Sequence, residues 1–150
     1  MNQCEKIDLS GKAPTWTTLP SMKEASRCFN PCLFQGCIYV CGGDSQLIEA
    51  FSLRSDSFLP QQLHLPDTCL GCCLYVSNQL LVVHSKRYIL KYARTLTGLL
   101  AQSSQVEGRN CVSKWSNSQP VLVRGLFFLF QGDKCLCFNA DTGALVQGFL

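Results

Sequence analysis

One phrase recurs three times along this chain and constrains its fold more than any other feature. A loop residue is followed by a short apolar run: Gly36-Cys37-Ile38-Tyr39-Val40-Cys41, then Asn78-Gln79-Leu80-Leu81-Val82-Val83, then Gly125-Leu126-Phe127-Phe128-Leu129-Phe130. The spacings are 42 residues (36 to 78) and 47 residues (78 to 125). Each run is preceded by another strand-like segment, at 29–34, 70–76 and 121–123, and followed by a third, at 48–53, 88–92 and 135–139. The turn letters Arg54-Ser55-Asp56-Ser57 and Asn139-Ala140-Asp141-Thr142-Gly143 then lead to fourth strands at 57–63 and 144–149, with a weaker one at 98–102 in the middle unit. Helical periodicity is scarce: 20–27 has room for one turn, and 85–95 fits either pattern. Short apolar runs at regular spacing, punctuated by Gly, Pro, Asn and Asp, predict an all-β fold.

Four antiparallel strands in about 40–45 residues make one blade of a β-propeller. A blade is covered by neighbours on both faces, so its strands should be apolar on both, as in the unbroken runs 80–83 and 126–130. The first unit resembles a kelch repeat. The marks are Trp16-x-x-Leu19-Pro20-x-Met22, then Arg27, then Leu33-Phe34-x-Gly36-x-Ile38-Tyr39-Val40-x-Gly42-Gly43, then Ile48-Glu49-Ala50-Phe51-Ser52-Leu53, with Phe58 where the family usually has Trp. The resemblance covers about residues 15–60. In the second unit His84-Ser85 stands where the double glycine belongs, and the third keeps only Gly132. The expectation is a single partial kelch-like propeller over 1–150, with units at 15–63, 64–103 and 104–150. Trp16, Arg27, Tyr39, Gly42, Gly43 and Phe51 form its structural motif. Gly43 is expected to take positive φ, where a Cβ is costly.

Three units do not close a ring, since propellers usually have four to eight blades. A strand near Trp16–Leu19 reads as the last strand of a further blade whose first three are missing. The count therefore implies a longer protein, a truncated product, self-association, or a single irregular β-sandwich.

Composition narrows the classes. Charged residues are 15% of the 150 and apolar residues 47%, a charge-poor mixture opposed to intrinsic disorder. The formal charge is +3, and the basic residues are scattered, Lys86-Arg87 being the one adjacent pair, so no nucleic-acid footprint is visible. No apolar run approaches a membrane helix, and the start MNQCEKIDLSGK has no secretory pattern. Eleven cysteines, an odd number, then read as reduced thiols of a cytoplasmic protein. Most sit inside apolar strands, as small buried hydrophobes do. The competing reading is zinc, from Cys69-x-x-Cys72-Cys73 and the group Cys28, Cys32, Cys37 and Cys41. A structural zinc site wants two such pairs, or a pair plus two histidines, and His64 and His84 do not form H-x₃₋₅-H. No metal and no cofactor are expected.

Catalytic patterns are equally weak. His84-Ser85 is not a triad, Gly42-Gly43-Asp44 is not a phosphate loop, and Cys69-Leu70-Gly71-Cys72 lacks a βαβ setting. The expected function is a non-catalytic protein-interaction module. The alternative is a fragment of a propeller enzyme of oxidase or sialidase type, which would need ionisable groups converging in a pocket. The loops joining second to third strands would share one rim, with Asp44, Ser45, Gln46, His84, Lys86, Arg87, Asp133 and Lys134 as candidate contacts for a partner protein or peptide. The competing reading of these residues is ordinary solvated turns. The kelch resemblance implies such a partner-binding rim, and extends to a substrate-receptor role in a ubiquitin ligase.

Overall fold

A computed structural model describes residues 3–24, 29–42, 45–67, 72–85, 88–107, 120–131 and 134–148. Every regular element among them is a strand. No described helix is long and apolar enough to cross a membrane.

The chain begins with β1 (Cys4–Asp8) and β2 (Thr15–Leu19), an antiparallel pair. The first sheet follows: β3 (Phe29–Phe34), β4 (Cys37–Gly42), β5 (Leu47–Ser52), β6 (Ser57–Phe58) and β7 (Leu63–His64). The second contains β8 (Cys73–Ser77), β9 (Leu80–His84), β10 (Tyr88–Arg94) and β11 (Leu100–Glu107). The third contains β12 (Val121–Val123), β13 (Leu126–Gln131), β14 (Lys134–Asn139) and β15 (Leu145–Gly148). Spatial order follows chain order in each sheet, and all pairings are antiparallel. The fold is all-β and propeller-like, with three blade-like sheets.

Three details differ from the sequence reading. Residues 57–63 are not one strand: β6 pairs with Phe51 and Ser52, while β7 pairs with Leu47 and Ile48. Pro60 lies between them and has no N–H to give the ladder, which accounts for the break. The weak fourth strand of the second unit is instead the longest strand, the eight residues of β11. The segment before β2 is also a strand, β1, which its alternating charges concealed. The ambiguous 85–95 segment is largely β10, and 23–24 is a bend. Arg27 and Gly43 lie outside the described residues.

The hairpins joining first to second strands use one device. Gln35-Gly36, Asn78-Gln79 and Arg124-Gly125 all have positive φ at both positions: 47° and 77°, 47° and 61°, 49° and 77°. That is the two-residue turn whose twist matches right-handed strands. The middle turn makes it without glycine.

The core lies between sheets, in two layers. One joins the first and second sheets through Tyr39, Ile48, Leu74, Leu81, Val83 and Leu90, among others. The other joins the second and third through Tyr75, Val82, Ile89, Phe127, Leu129 and Phe138, among others. Alternation along β9 sends Leu81 and Val83 one way and Val82 and His84 the other, so an unbroken apolar run serves both layers. The end sheets differ. In β13, Phe127 and Leu129 are 0% exposed, but Phe130 is 50% exposed on the opposite face. The strands β3 and β8 lie against each other, so first strands are the inner ones where these two sheets meet.

Side-chain bonds tie the sheets at their margins. Gln61 Nε2 donates to the Leu100 carbonyl at 2.9 Å, and its Oε1 accepts from the Leu100 N–H at 3.1 Å. Between the second and third sheets, Tyr75 Oη donates to the Ala140 carbonyl at 3.1 Å. Asn78 Nδ2 donates to both Asp141 oxygens at 3.1 Å. Asp141 sits in a turn shaped by Asn139, whose Oδ1 accepts the Asp141 and Thr142 amides at 3.0 and 2.9 Å. Gly143 closes that turn at φ +65° against the second sheet, where an added Cβ would collide with the Ile89 side chain.

Two substitutions should move stability in opposite directions in urea unfolding at neutral pH. Gln79→Gly relieves a left-handed residue and should stabilise by about 0.5–1 kcal/mol. Gly143→Ala adds backbone strain and an overlap and should destabilise by about 2 kcal/mol or more.

Candidate functional site

The rim residues are only partly brought into view. Ser45 is half-buried, and its Oγ accepts the Leu47 amide at 2.8 Å. Gln46 is exposed, with its carbonyl bound by the Leu65 amide at 2.8 Å. Asp44, Lys86, Arg87 and Asp133 lie outside the described residues, and Lys134 opens β14. His84 is a correction: it is 0% exposed and belongs to the core, not the rim. Its register partners Cys73 and Ile89 show why, since all three face the third sheet. Of the repeat motif, Tyr39 and Phe51 are buried, Gly42 ends β4, and Trp16 is 64% exposed on β2.

His84 is surrounded by rings: Tyr75 at 6.4 Å, Phe127 at 5.5 Å and Phe138 at 6.1 Å between centroids. Neither imidazole nitrogen has a hydrogen-bond partner. Burial pulls its pKa from 6.5 down to about 4. The neighbouring ionisable groups are held neutral for the same reason, Cys73 being pushed up to about 12 and Tyr75 also raised. Among the described residues it acts as a neutral filler packed between aromatic rings. Of the eight described cysteines five are buried, Cys37, Cys41, Cys72, Cys73 and Cys137. Among the described residues no group of three His, Cys, Asp or Glu side chains gathers to hold a metal.

A cleft of about 570 Å³ lies between β1 and the open face of the first sheet. Its wall is built by register. Ile38 pairs with Phe51, and Phe51 with Phe58, so three apolar side chains stand in one row across β4, β5 and β6. The Phe51 and Phe58 rings meet edge to face at 5.2 Å. Val40 extends the wall along β4, and Leu19 and Met22 close one side. The chain running from β2 is held there by Glu49, a 7% exposed carboxylate that accepts the Lys23 amide at 2.9 Å and the Glu24 amide at 3.4 Å. Across the cleft Lys6 forms an ion pair with Asp56, joining β1 to the turn before β6.

A volume of this size and an apolar lining suit a binding site, which typically spans about 300–1,000 Å³. Sequence reasoning found Ile38, Val40, Phe51 and Phe58 as strand residues but not as a surface. The signal that would have shown it is the Ile7-x₈-Trp16 pair: a second hairpin must precede the first sheet to place those residues opposite each other.

No protein-family model matches this chain, and no curated protein matches it. Solved structures do: 85 chains match, among them YjhT, a propeller-type fold. The superposition has a TM-score of 0.64 at 12% identity. It covers 96% of this chain and 57% of YjhT, so the chain spans little more than half the length of that structure. The likeness establishes the fold alone.

His84 should leave a signature in acid. The unfolded chain takes up its proton near pH 6.5, the folded one only near 4. Folding stability from this residue is therefore complete above about pH 6.5 and falls as pH drops toward 4, by on the order of 3 kcal/mol in all. Urea unfolding of His84→Leu across pH 4–7 should lose that slope. It should also match or exceed the parent at pH 7, because two unpartnered polar atoms are gone.

Proposed function

We propose that this protein is a non-catalytic interaction module that binds a protein or peptide in the cleft between its N-terminal hairpin and its first sheet. The observation that carries the reading is that cleft, about 570 Å³ in volume, with an apolar wall of Ile38, Val40, Phe51 and Phe58 beside the strand β1. Apolar surface of this kind is expensive to leave in water and marks an association site. The aromatic and branched side chains of the wall are held in place by the β-ladder, so little order has to be created on binding. The kelch resemblance of residues 15–60 supports the same class, though it directs attention to the rim.

Panning a display library of random peptides against the purified protein tests the reading. Selected peptides should bind saturably, and Ile38→Glu should weaken them about tenfold or more while the unfolding transition persists. Paired Gln46→Ala and Arg87→Ala changes on the rim should leave binding near the parent value. Selected peptides that ignore Ile38→Glu but are lost with the rim changes would move the site to the rim. Failure to select any peptide would remove the interaction reading.

A further inference from the structure

The N-terminal hairpin holds the position of the outer half of a blade. Chain order says so first: β2 runs into β3 as β7 runs into β8 and β11 into β12, last strand to next first strand. The ion pairs say so independently. Lys91, on the third strand of the second sheet, reaches Asp141 in the turn between third and fourth strands of the third sheet, at 3.4 Å. Lys6 on β1 reaches Asp56 in the corresponding turn of the first sheet. Thus β1 occupies a third-strand position and β2 a fourth.

Third strands elsewhere are paired on both edges: β5 with β4 and with β6 and β7, β10 with β9 and β11, β14 with β13 and β15. Among the described residues β1 pairs with β2 alone. The place where a second strand would lie beside it is the cleft, floored by Ile38, Val40, Phe51 and Phe58. The geometry points to strand addition. We propose that the open edge of β1 accepts an extended segment of a partner polypeptide, antiparallel to β1, with apolar side chains at alternate positions turned onto that floor.

The chemistry of the occupant follows from the strands that fill this position elsewhere. Strand β9 lies beside β10 and sends Val82 and His84 onto the next sheet. An added strand must likewise send every second residue, bulky and apolar, onto the first sheet. Its other residues turn away from that floor, and β1 carries the exposed carboxylate of Glu5 at the lip of the cleft. Basic residues opposite Glu5 complete the match, since opposite charges on facing strands attract. Main-chain bonds to β1 would supply affinity and the alternate side chains selectivity. A second copy of this chain is a poor donor, because its three first-to-second-strand hairpins already belong to its own sheets.

This inference rests on the interaction-module reading and names its binding mode. The test uses a dye-labelled synthetic nonapeptide alternating lysine and isoleucine, and a block peptide of the same composition with lysines and isoleucines segregated. Anisotropy at low salt should show saturable binding of the alternating peptide, at least about tenfold tighter than of the block peptide. Amide hydrogen exchange should show new protection at residues 4–8. Glu5→Lys, a surface change, should weaken the peptide several-fold, and a peptide with glutamate replacing lysine should recover binding to that variant. Equal binding of both peptides, or Glu5→Lys without effect, would overturn the proposal. So would a dimer with residues 4–8 protected before any peptide is added, because a second copy would then fill the cleft. Protection confined to β12–β15 would overturn strand addition and the cleft as the binding site together. No binding of the synthetic peptide, with display-selected peptides still binding and still sensitive to Ile38→Glu, would overturn strand addition and leave the module reading standing.

Discussion

Sheet stacked on sheet is the interaction on which this structure depends. The second sheet has a four- or five-stranded sheet packed on each face, and it is nearly solid apolar residue: Leu74, Tyr75, Leu81, Val82, Val83, Ile89 and Leu90 are each 4% exposed or less. Fully burying side chains of this size contributes about 1.5–3 kcal/mol each, so the two layers around the sheet dominate the favourable side of folding. Their apolar character also explains why His84 can be tolerated. A neutral imidazole is close in shape to the rings around it, and the cost of its two unpartnered nitrogens is spread over a well-packed layer.

Polar groups act at the edges of these layers, where they set register between sheets without entering the apolar centre. Asp141 receives Asn78 and Lys91, Gln61 clasps the main chain of Leu100, and Lys6 pairs with Asp56. The Lys6 and Asp56 side chains are about half exposed, 46% and 50%, so the pair adds little stability. Its importance is positional: it holds the N-terminal hairpin at the spacing that leaves a cleft. The open surface and the stabilising core are thereby separated. The buried layers on either side of the second sheet hold the protein together, and the incomplete position beside the first sheet offers a surface.

The same stacking rule accounts for the end faces. The third sheet presents Val121 and Val123 at 48% exposure and Phe130 at 50%. Its other face, with Phe127, Leu129 and Phe138, is covered by the second sheet. A sheet with apolar residues on both sides and one described neighbour has apolar surface left over.

Much of this was determined by the sequence alone. The predicted strands at 29–34, 80–83, 88–92, 121–123 and 126–130 coincide closely with β3, β9, β10, β12 and β13, because apolar patterning and Gly, Asn and Asp turns are local signals that need no neighbour to be read. The left-handed turns at Gln35-Gly36 and Arg124-Gly125 and the Asn139 turn belong to this class. Tertiary structure alone decided the rest. His84 looked like a rim residue because sequence does not show which face of β9 is covered, and that depends on residues more than 40 positions away, Phe127 and Phe138. The strand β1 was hidden because a half-blade with a polar, exposed pattern carries no apolar signature. The cleft was hidden because a concave surface is a relation between two hairpins, fixed by Lys6–Asp56 and by Glu49 holding the connecting chain. Local patterning chooses strands; only long-range contacts choose which of their faces is buried and where a position is left empty.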